Sequence, residues 1–127
     1  MGPAGTIVNM RRRSGERRPL LRVVRVAGPS MTPTLCDGDL LLVAGVRDGR
    51  RVRPGDVVVA VFRAMPDRYV VKRAVRAVDG GWWLASDNPF AGGDSASHGV
   101  ATVHGRALLR LPARSARPRR IRGIGPQ

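Results

Sequence analysis

Short apolar runs alternate with Gly, Pro and Asp turns through the middle of the chain, which predicts a protein built from β-strands. Residues 57–62 (VVVAVF) form a continuous, mostly β-branched run, typical of a strand buried on both faces. Turn signals at residues 54–55 (PG) and 79–81 (DGG) separate such runs. Further strands are predicted at residues 20–26, 40–44, 69–78, 82–85 and 100–111. Because no stretch has the period of an amphipathic helix, we expect an all-β (mainly β) fold, a partly open barrel or paired sheets.

The two ends of the chain depart from this pattern. Residues 1–19 and 113–127 are rich in Arg, Gly and Pro, and we expect them to form flexible basic arms. One folded domain is predicted between them, at residues 20–112, since 127 residues suffice for one hydrophobic core. The formal net charge of +14 arises partly from the arms and favours acidic partners.

Cysteine content and hydropathy restrict the location of the protein. Cys36 is the only cysteine, so no internal disulfide can form, and we expect a small buried thiol in a reducing compartment. Uncharged stretches such as residues 26–36 reach only 11 residues, whereas a helical membrane span needs about 18 to 20. The sequence therefore predicts a cytoplasmic protein without a transmembrane anchor, and peripheral attachment to a membrane through the basic arms is the alternative.

Residues 28–35 (GPSMTPTL) place Ser30, a possible hydroxyl nucleophile, between two prolines. Pro29 and Pro33 restrict φ and lack an N–H group, so the residues between them belong to a constrained loop. A serine becomes a good nucleophile only beside a base. Ser30 is therefore a candidate nucleophile if the chain supplies that base, and an ordinary turn serine if it does not.

Lys72 is the candidate base because it is the only lysine among 23 basic side chains. Arginine cannot lose its proton in a protein, whereas a buried lysine can. On a strand over residues 69–78, Lys72 shares one face with Val70 and Ala74, while Arg73 points to the other face. Apolar neighbours would lower the pKa of Lys72 and populate its neutral amine. A surface lysine is the alternative.

The order of these segments resembles a known family. Residues 28–35 (GPSMTPTL), 54–58 (PGDVV), 69–73 (YVVKR), 86–88 (SDN), 94–95 (DS) and 98–99 (HG) resemble the ordered sequence boxes of the type I signal peptidases, which are Ser/Lys dyad proteases. The GPSM variant and the short chain are further similar to mitochondrial inner-membrane proteases and, more closely, to the short actinobacterial proteases that mature nickel-containing superoxide dismutase.

The resemblance implies roles for particular residues. Ser30 would be the nucleophile, Lys72 the general base and Asp94 a supporting carboxylate. Ala96 stands where these enzymes usually have an arginine after the acidic residue, so we expect Asp94 to pair with Arg73 or with another of the many arginines. A capping role for Asp94 at the turn after Gly92 and Gly93 is the alternative.

A second departure concerns the partner of the lysine. Gly92 stands where the family often has a serine that hydrogen-bonds the base, so we expect Lys72 to use Ser95 or Ser86. The neighbours of Ser86 at residues 87–88 (DN) are expected to shape their loop rather than to take part in the chemistry.

The oxyanion hole also departs from the family pattern. Gly28 and Met31 are supporting residues on either side of the candidate nucleophile, but Gly28 has no side-chain hydroxyl and Pro29 has no N–H group. The hole is expected to use the backbone N–H of Ser30 with a second donor that the sequence does not identify.

Together these features predict a serine endopeptidase that removes an N-terminal leader or propeptide from a protein precursor. The resemblance makes nickel-type superoxide dismutase the candidate precursor. Ser/Lys chemistry needs no cofactor. With two histidines, one cysteine and no ligand-like spacing, we also expect no metal site.

Three alternatives remain open. A self-cleaving repressor-type Ser/Lys peptidase is less favoured, because we find no helical DNA-binding segment before residue 28. A Ser/His/Asp triad would use His98 or His104 as its base. A basic nucleic-acid-binding β module would use the arginine-rich arms, although an aromatic content of 4% offers few stacking groups.

Overall fold

A computed structural model describes residues 5–9, 20–47 and 51–111 of the chain. These ranges contain, in order, the strands and the helix β1 (Gly5–Asn9), β2 (Leu21–Val26), β3 (Leu40–Gly45), β4 (Val57–Phe62), β5 (Tyr69–Val78), β6 (Gly81–Ala85), α1 (Ser95–His98) and β7 (Ala101–Leu111). The predicted all-β class is confirmed. Each strand predicted between residues 20 and 111 is present, with its ends shifted by at most one residue.

The strands form one antiparallel sheet in the order β1-β2-β3-β7-β4-β5-β6. Strand β7 is central, because its second half pairs with β3 and its first half with β4. Strand β6 also pairs with β7, through Trp82 and Ala101, so that β7, β4, β5 and β6 form a partial ring. The register between β4 and β7 shifts beside Gly105, which indicates a β-bulge there.

Strand β4 is buried on both faces, as its unbroken apolar run predicts. Successive side chains of a strand point to opposite faces, so one continuous run can serve two cores. The first cluster contains Val24, Val26, Met31, Leu35, Leu41, Val43, Val57, Val59, Val71 and Ala107. The second contains Val52, Val58, Ala60, Phe62, Val70, Ala74, Trp82, Leu84, Ala101 and Val103.

Strand β5 places a charged residue at a core position. Val71 belongs to the first cluster, and Val70 and Ala74 belong to the second. Lys72 alternates onto the face of Val70 and Ala74, lies opposite Val58 of β4, and is only 2% exposed. The predicted apolar surroundings of this lysine are confirmed.

The N-terminal segment differs from the expectation of a flexible arm over residues 1–19. Residues 5–9 (GTIVN) form β1, which pairs antiparallel with β2 along the edge that β2 would otherwise leave open. Such a short run carries little sequence signal on its own. The other residues of both predicted arms, and residues 48–50, lie outside the described ranges.

The expectation of a buried thiol is wrong, because Cys36 is exposed and the preceding residue, Leu35, takes the core position. Among the residues that the structure describes, the only helix is the four-residue α1, and no helix is long and apolar enough to cross a membrane.

We expect Gly81→Ala to destabilise the junction of β6 and β7. A Cβ atom at Gly81 would lie 2.5 Å from the Ala101 carbonyl oxygen and 2.7 Å from Val100 Cγ1, so the backbone would have to shift. The expected loss in the free energy of unfolding is about 1–3 kcal/mol, measured by urea denaturation. Gly45→Ala is the matched control, because its Cβ atom would approach nothing closer than Leu20 O at 3.5 Å. Equal losses in the two variants would contradict this account.

Candidate active site

Ser30 lies on the turn between β2 and β3, and buried side chains fix this turn to the hydrophobic core. Met31 and Leu35 are fully buried in the first cluster, and the Leu35 N–H donates to the Met31 carbonyl at 2.8 Å. The Thr32 N–H donates to the Pro29 carbonyl at 3.1 Å. Ser30 is held between these bonds with 9% of its surface exposed.

The two predicted supporting residues of this turn shape its backbone. Gly28 has a φ of +83°, which favours glycine, and its N–H donates to Asp37 Oδ1 at 2.8 Å. Met31 packs in the core. Both residues position Ser30 through the backbone, since neither supplies a polar side-chain group.

Ser30 and Lys72 line the same pocket, which has a volume of about 240 Å³. The turn supplies the serine, and β5 supplies the lysine. The other walls are largely apolar and include Ala27, Pro29, Phe62, Met65, Val70 and Ala91. The fold therefore brings together the two residues that the sequence singled out, although they are 42 positions apart.

Ser86 is the side-chain partner of Lys72. Lys72 Nζ donates to Ser86 Oγ at 2.9 Å, and the Ser86 hydroxyl donates to the Gly92 carbonyl at 2.9 Å. A hydroxyl has only one proton to donate, so this arrangement leaves the Ser86 oxygen as an acceptor for the amine. Ser95, the other predicted partner, is instead structural: it is 1% exposed and its Oγ accepts the Leu84 N–H at 2.7 Å.

Burial lowers the pKa of Lys72 below its ordinary value of 10.5, because desolvation disfavours the charged amine. The negative charge of Asp94 acts in the opposite direction but is the smaller effect. The neutral amine is therefore more populated than in an exposed lysine. In its neutral form, the Lys72 amine donates an N–H to Ser86 Oγ and keeps its nitrogen lone pair. This lone pair can accept a proton from another group.

Asp94 does not have the partner that we expected. Its carboxylate caps α1 by accepting the Ala96 N–H at 3.2 Å, which is the capping role proposed as the alternative. Arg73 forms its ion pair with Asp87, at 2.5 Å between Nη2 and Oδ2 and 3.1 Å between Nε and Oδ1. The reason is alternation along β5: Arg73 and Lys72 point to opposite faces, so the two basic groups meet different carboxylates.

Asp87 links the strand of the lysine to the turn of the serine. It accepts from Arg73 and, at 2.6 Å, from the Thr34 hydroxyl. Burial alone would raise the pKa of Asp87, but these two hydrogen bonds and the charge of Arg73 outweigh it and lower the pKa. Asp87 is thus an ionised structural anchor, as expected for a loop-shaping residue.

Asn88 completes the same link. Its backbone N–H donates to the Ser30 carbonyl at 2.9 Å, and its Nδ2 donates to the Pro29 carbonyl at 3.1 Å and to Thr32 Oγ1 at 3.2 Å. The sequence did not reveal how closely Asn88 holds the serine turn, and the only signal was its place directly after Ser86 and Asp87.

Neither histidine is joined to Ser30 by a hydrogen bond in the described part of the chain. His98 lines the pocket but packs against Phe62, with ring centroids 5.2 Å apart. His104 packs edge-on against Tyr69 at 5.6 Å. Within the same ranges, no group of three or more His, Cys, Asp or Glu side chains is placed to hold a metal ion.

An all-β chain that brings a loop serine and a buried lysine into one pocket has the architecture of the Ser/Lys peptidase-type fold, shared by signal peptidases and self-cleaving repressors. The chain belongs to the Peptidase S24-like family, whose model matches residues 7–108. This family includes self-cleaving and non-catalytic members as well as serine peptidases. No curated protein and no solved structure gives a significant match.

Family membership confirms the resemblance to signal peptidases at the level of this fold. The finer resemblance to superoxide dismutase maturation proteases stays a prediction. The match begins within the segment predicted as an arm, and it therefore includes part of β1.

Lys72→Met is expected to flatten the pH dependence of the free energy of unfolding. Because burial lowers the pKa of Lys72 in the folded protein, the unfolded chain binds more protons between that pKa and 10.5, and wild-type stability rises with pH there. Methionine keeps a flexible apolar stem but does not titrate. Urea denaturation from about pH 7 to 10 measures the difference.

The control for Lys72→Met is Arg53→Met, which removes one positive charge from an exposed site and should retain the wild-type slope. If the wild-type protein and Lys72→Met have the same slope, the amine titrates in its ordinary range and the lowered pKa is wrong.

Proposed function

We propose that this protein is a serine endopeptidase in which Ser30 is the nucleophile and Lys72 the general base. One observation carries the proposal: the single lysine of the chain is 2% exposed and faces a pocket that Ser30 also lines. Taking an ammonium group out of water is costly unless it has a close ionic partner. In the described part of the chain, the only hydrogen-bond partner of the Lys72 amine is the Ser86 hydroxyl. Such a site suits a neutral amine that exchanges a proton.

The mechanism follows from this arrangement. Neutral Lys72 takes the Ser30 proton as Ser30 Oγ attacks the scissile carbonyl carbon, and the ammonium group then gives a proton to the leaving amine. Water hydrolyses the acyl-enzyme in the second half of the reaction, with Lys72 again as the base. The charge of Asp94, which favours the protonated amine, stabilises the ammonium that forms in each half.

The developing oxyanion needs donors, and the Ser30 N–H is the first of them in this proposal. No described residue accepts a hydrogen bond from this N–H, so it is left for the substrate.

The substrate in this proposal is an extended segment near the N-terminus of a precursor protein. A pocket of about 240 Å³ accepts a few side chains of an extended peptide rather than a folded surface, and a nucleophile on a loop of a β-sheet suits a substrate added as a strand. The resemblance of residues 28–35 and 69–73 makes the precursor of nickel-type superoxide dismutase the specific candidate, processed in the cytoplasm.

Self-cleavage is the second candidate function, because the family includes self-cleaving members. Intact-mass measurements at several protein concentrations separate the two functions. Self-cleavage within one molecule has a rate constant that does not depend on protein concentration, whereas the rate of cleavage of another protein molecule does depend on it.

The nucleic-acid alternative rests on basic arms that lie mostly outside the described residues.

We expect Ser30→Ala to abolish cleavage with little loss of stability. Removing the nucleophile of a covalent mechanism lowers the rate at least about a thousandfold. Mass spectrometry of a synthetic peptide from the N-terminal region of a nickel-type superoxide dismutase precursor, and of a mixed peptide library, measures cleavage. Ser97→Ala, an exposed hydroxyl on α1, is the control and should remain active. Undiminished cleavage by Ser30→Ala would contradict the assignment.

Lys72→Arg should be nearly as damaging as Lys72→Ala, because arginine keeps the charge but cannot accept a proton. For the wild type, kcat/KM should rise with pH through the lowered pKa of Lys72, as the neutral amine becomes populated. Single-turnover cleavage by the variants and a pH profile of the wild type test both statements. An active Lys72→Arg enzyme with a flat profile would point instead to His98, the histidine in the pocket.

A further inference from the structure

We infer that Arg68 and His98 form an acid-selective subsite at the end of the pocket away from Lys72, and that the substrate places an aspartate or glutamate side chain there. This inference rests on the proposed peptidase function and names the chemical class of its substrate. Both residues line the pocket together with Ser30 and Lys72.

Arg68 directly precedes β5 and lies two residues before Val70 of that strand. Arg68, Val70 and Lys72 are each two residues apart, and all three line the pocket. At about 3.3 Å per residue, the Cα atoms of Arg68 and Lys72 are roughly 13 Å apart along an extended chain. The pocket therefore extends along this face of β5 from the amine, over Val70, to the guanidinium group.

His98 lies at the same end of the pocket. Phe62 is the last residue of β4, next to the start of β5, where Val61 pairs with Tyr69. The His98 ring packs against Phe62 with centroids 5.2 Å apart. A side chain that reaches this end of the pocket is thus expected to meet Arg68, the His98 imidazole and the apolar ring of Phe62.

The charge at this end is not neutralised by the protein. Arg68 is exposed, and no described residue forms an ion pair or a side-chain hydrogen bond with it, whereas Arg73 and Arg110 pair with Asp87 and Asp39. The residues that line the pocket include no Asp or Glu. A carboxylate is the side-chain group that complements a guanidinium with free donors, because it accepts two parallel hydrogen bonds.

The spacing also locates the acidic residue in the substrate. An extended peptide along β5 has the same two-residue period as the strand. In this inference the peptide bond cleaved by Ser30 lies at the Lys72 end, and Arg68, just before the start of β5, is four residues from Lys72 in the sequence. Because the arginine side chain is long, we expect the acidic residue about two to four positions from the scissile bond.

A synthetic peptide library that contains every residue type at each varied position tests this with the full chain. Mass spectrometry of the products should show that the wild type enriches Asp and Glu about two- to five-fold at one position near the scissile bond, the range for an exposed ion pair. Arg68→Glu should lose that preference and enrich Lys and Arg at the same position. Arg53→Glu makes the same change in net charge outside the pocket and should keep the acidic preference.

Capture of the same library separates this inference from the proposed function. Immobilised Ser30→Ala should retain acidic peptides, and the double variant Ser30→Ala/Arg68→Glu should not, at near-physiological salt. If this capture is observed but the wild type cleaves no peptide, the subsite is supported and only the peptidase proposal is overturned. Cleavage without an acidic preference, or a preference that Arg68→Glu and Arg53→Glu reduce equally, would overturn the subsite. The absence of both cleavage and selective capture would overturn both.

Discussion

A lysine amine held in the apolar face of a β-strand is the constraint on which the rest of the site depends. Val70 and Ala74, the residues two positions before and after Lys72, belong to the second core cluster. A permanent charge at such a position carries a desolvation penalty of several kcal/mol. The fold meets this penalty by lowering the pKa of Lys72 and by providing one neutral acceptor, Ser86. In the proposed peptidase, an amine in this state acts as a base before any substrate arrives.

The loop after β6 connects the Lys72 amine to the turn that carries Ser30. Residues 86–88 of this loop each contact a different part of the structure. Ser86 contacts the lysine, Asp87 contacts Arg73 and Thr34, and Asn88 contacts the serine turn through backbone and side chain. The distance between the nucleophile turn and β5 is therefore set by short polar contacts rather than by apolar packing alone. Hydrogen bonds have directional geometry, so this link positions Ser30 more narrowly than side-chain packing would.

Much of the fold and the apolar surroundings of Lys72 could be predicted from the sequence, because both depend on local periodicity. The unbroken run of β4 required two buried faces, and alternation on β5 put Lys72 and Arg73 on opposite sides. The ion pair of Arg73 and the choice of Ser86 over Ser95 depended instead on how a loop closes over the sheet. Strand β1 was missed because its stability comes from the open edge of β2 rather than from its own five residues.

In the proposed mechanism, the burial of the Lys72 amine also ties its reactivity to occupancy of the pocket. With Ser30 9% exposed, water still reaches the site in the free protein. In the proposed mechanism, a peptide that fills the pocket removes this water and lowers the pKa of Lys72 further, which raises the neutral fraction when a scissile bond is present. Asp94 limits the effect, because its charge favours the ammonium form. In the proposed enzyme, the balance of desolvation against this one carboxylate sets the working pH, and Arg68, which lines the same pocket just before β5, is the group that selects the peptide.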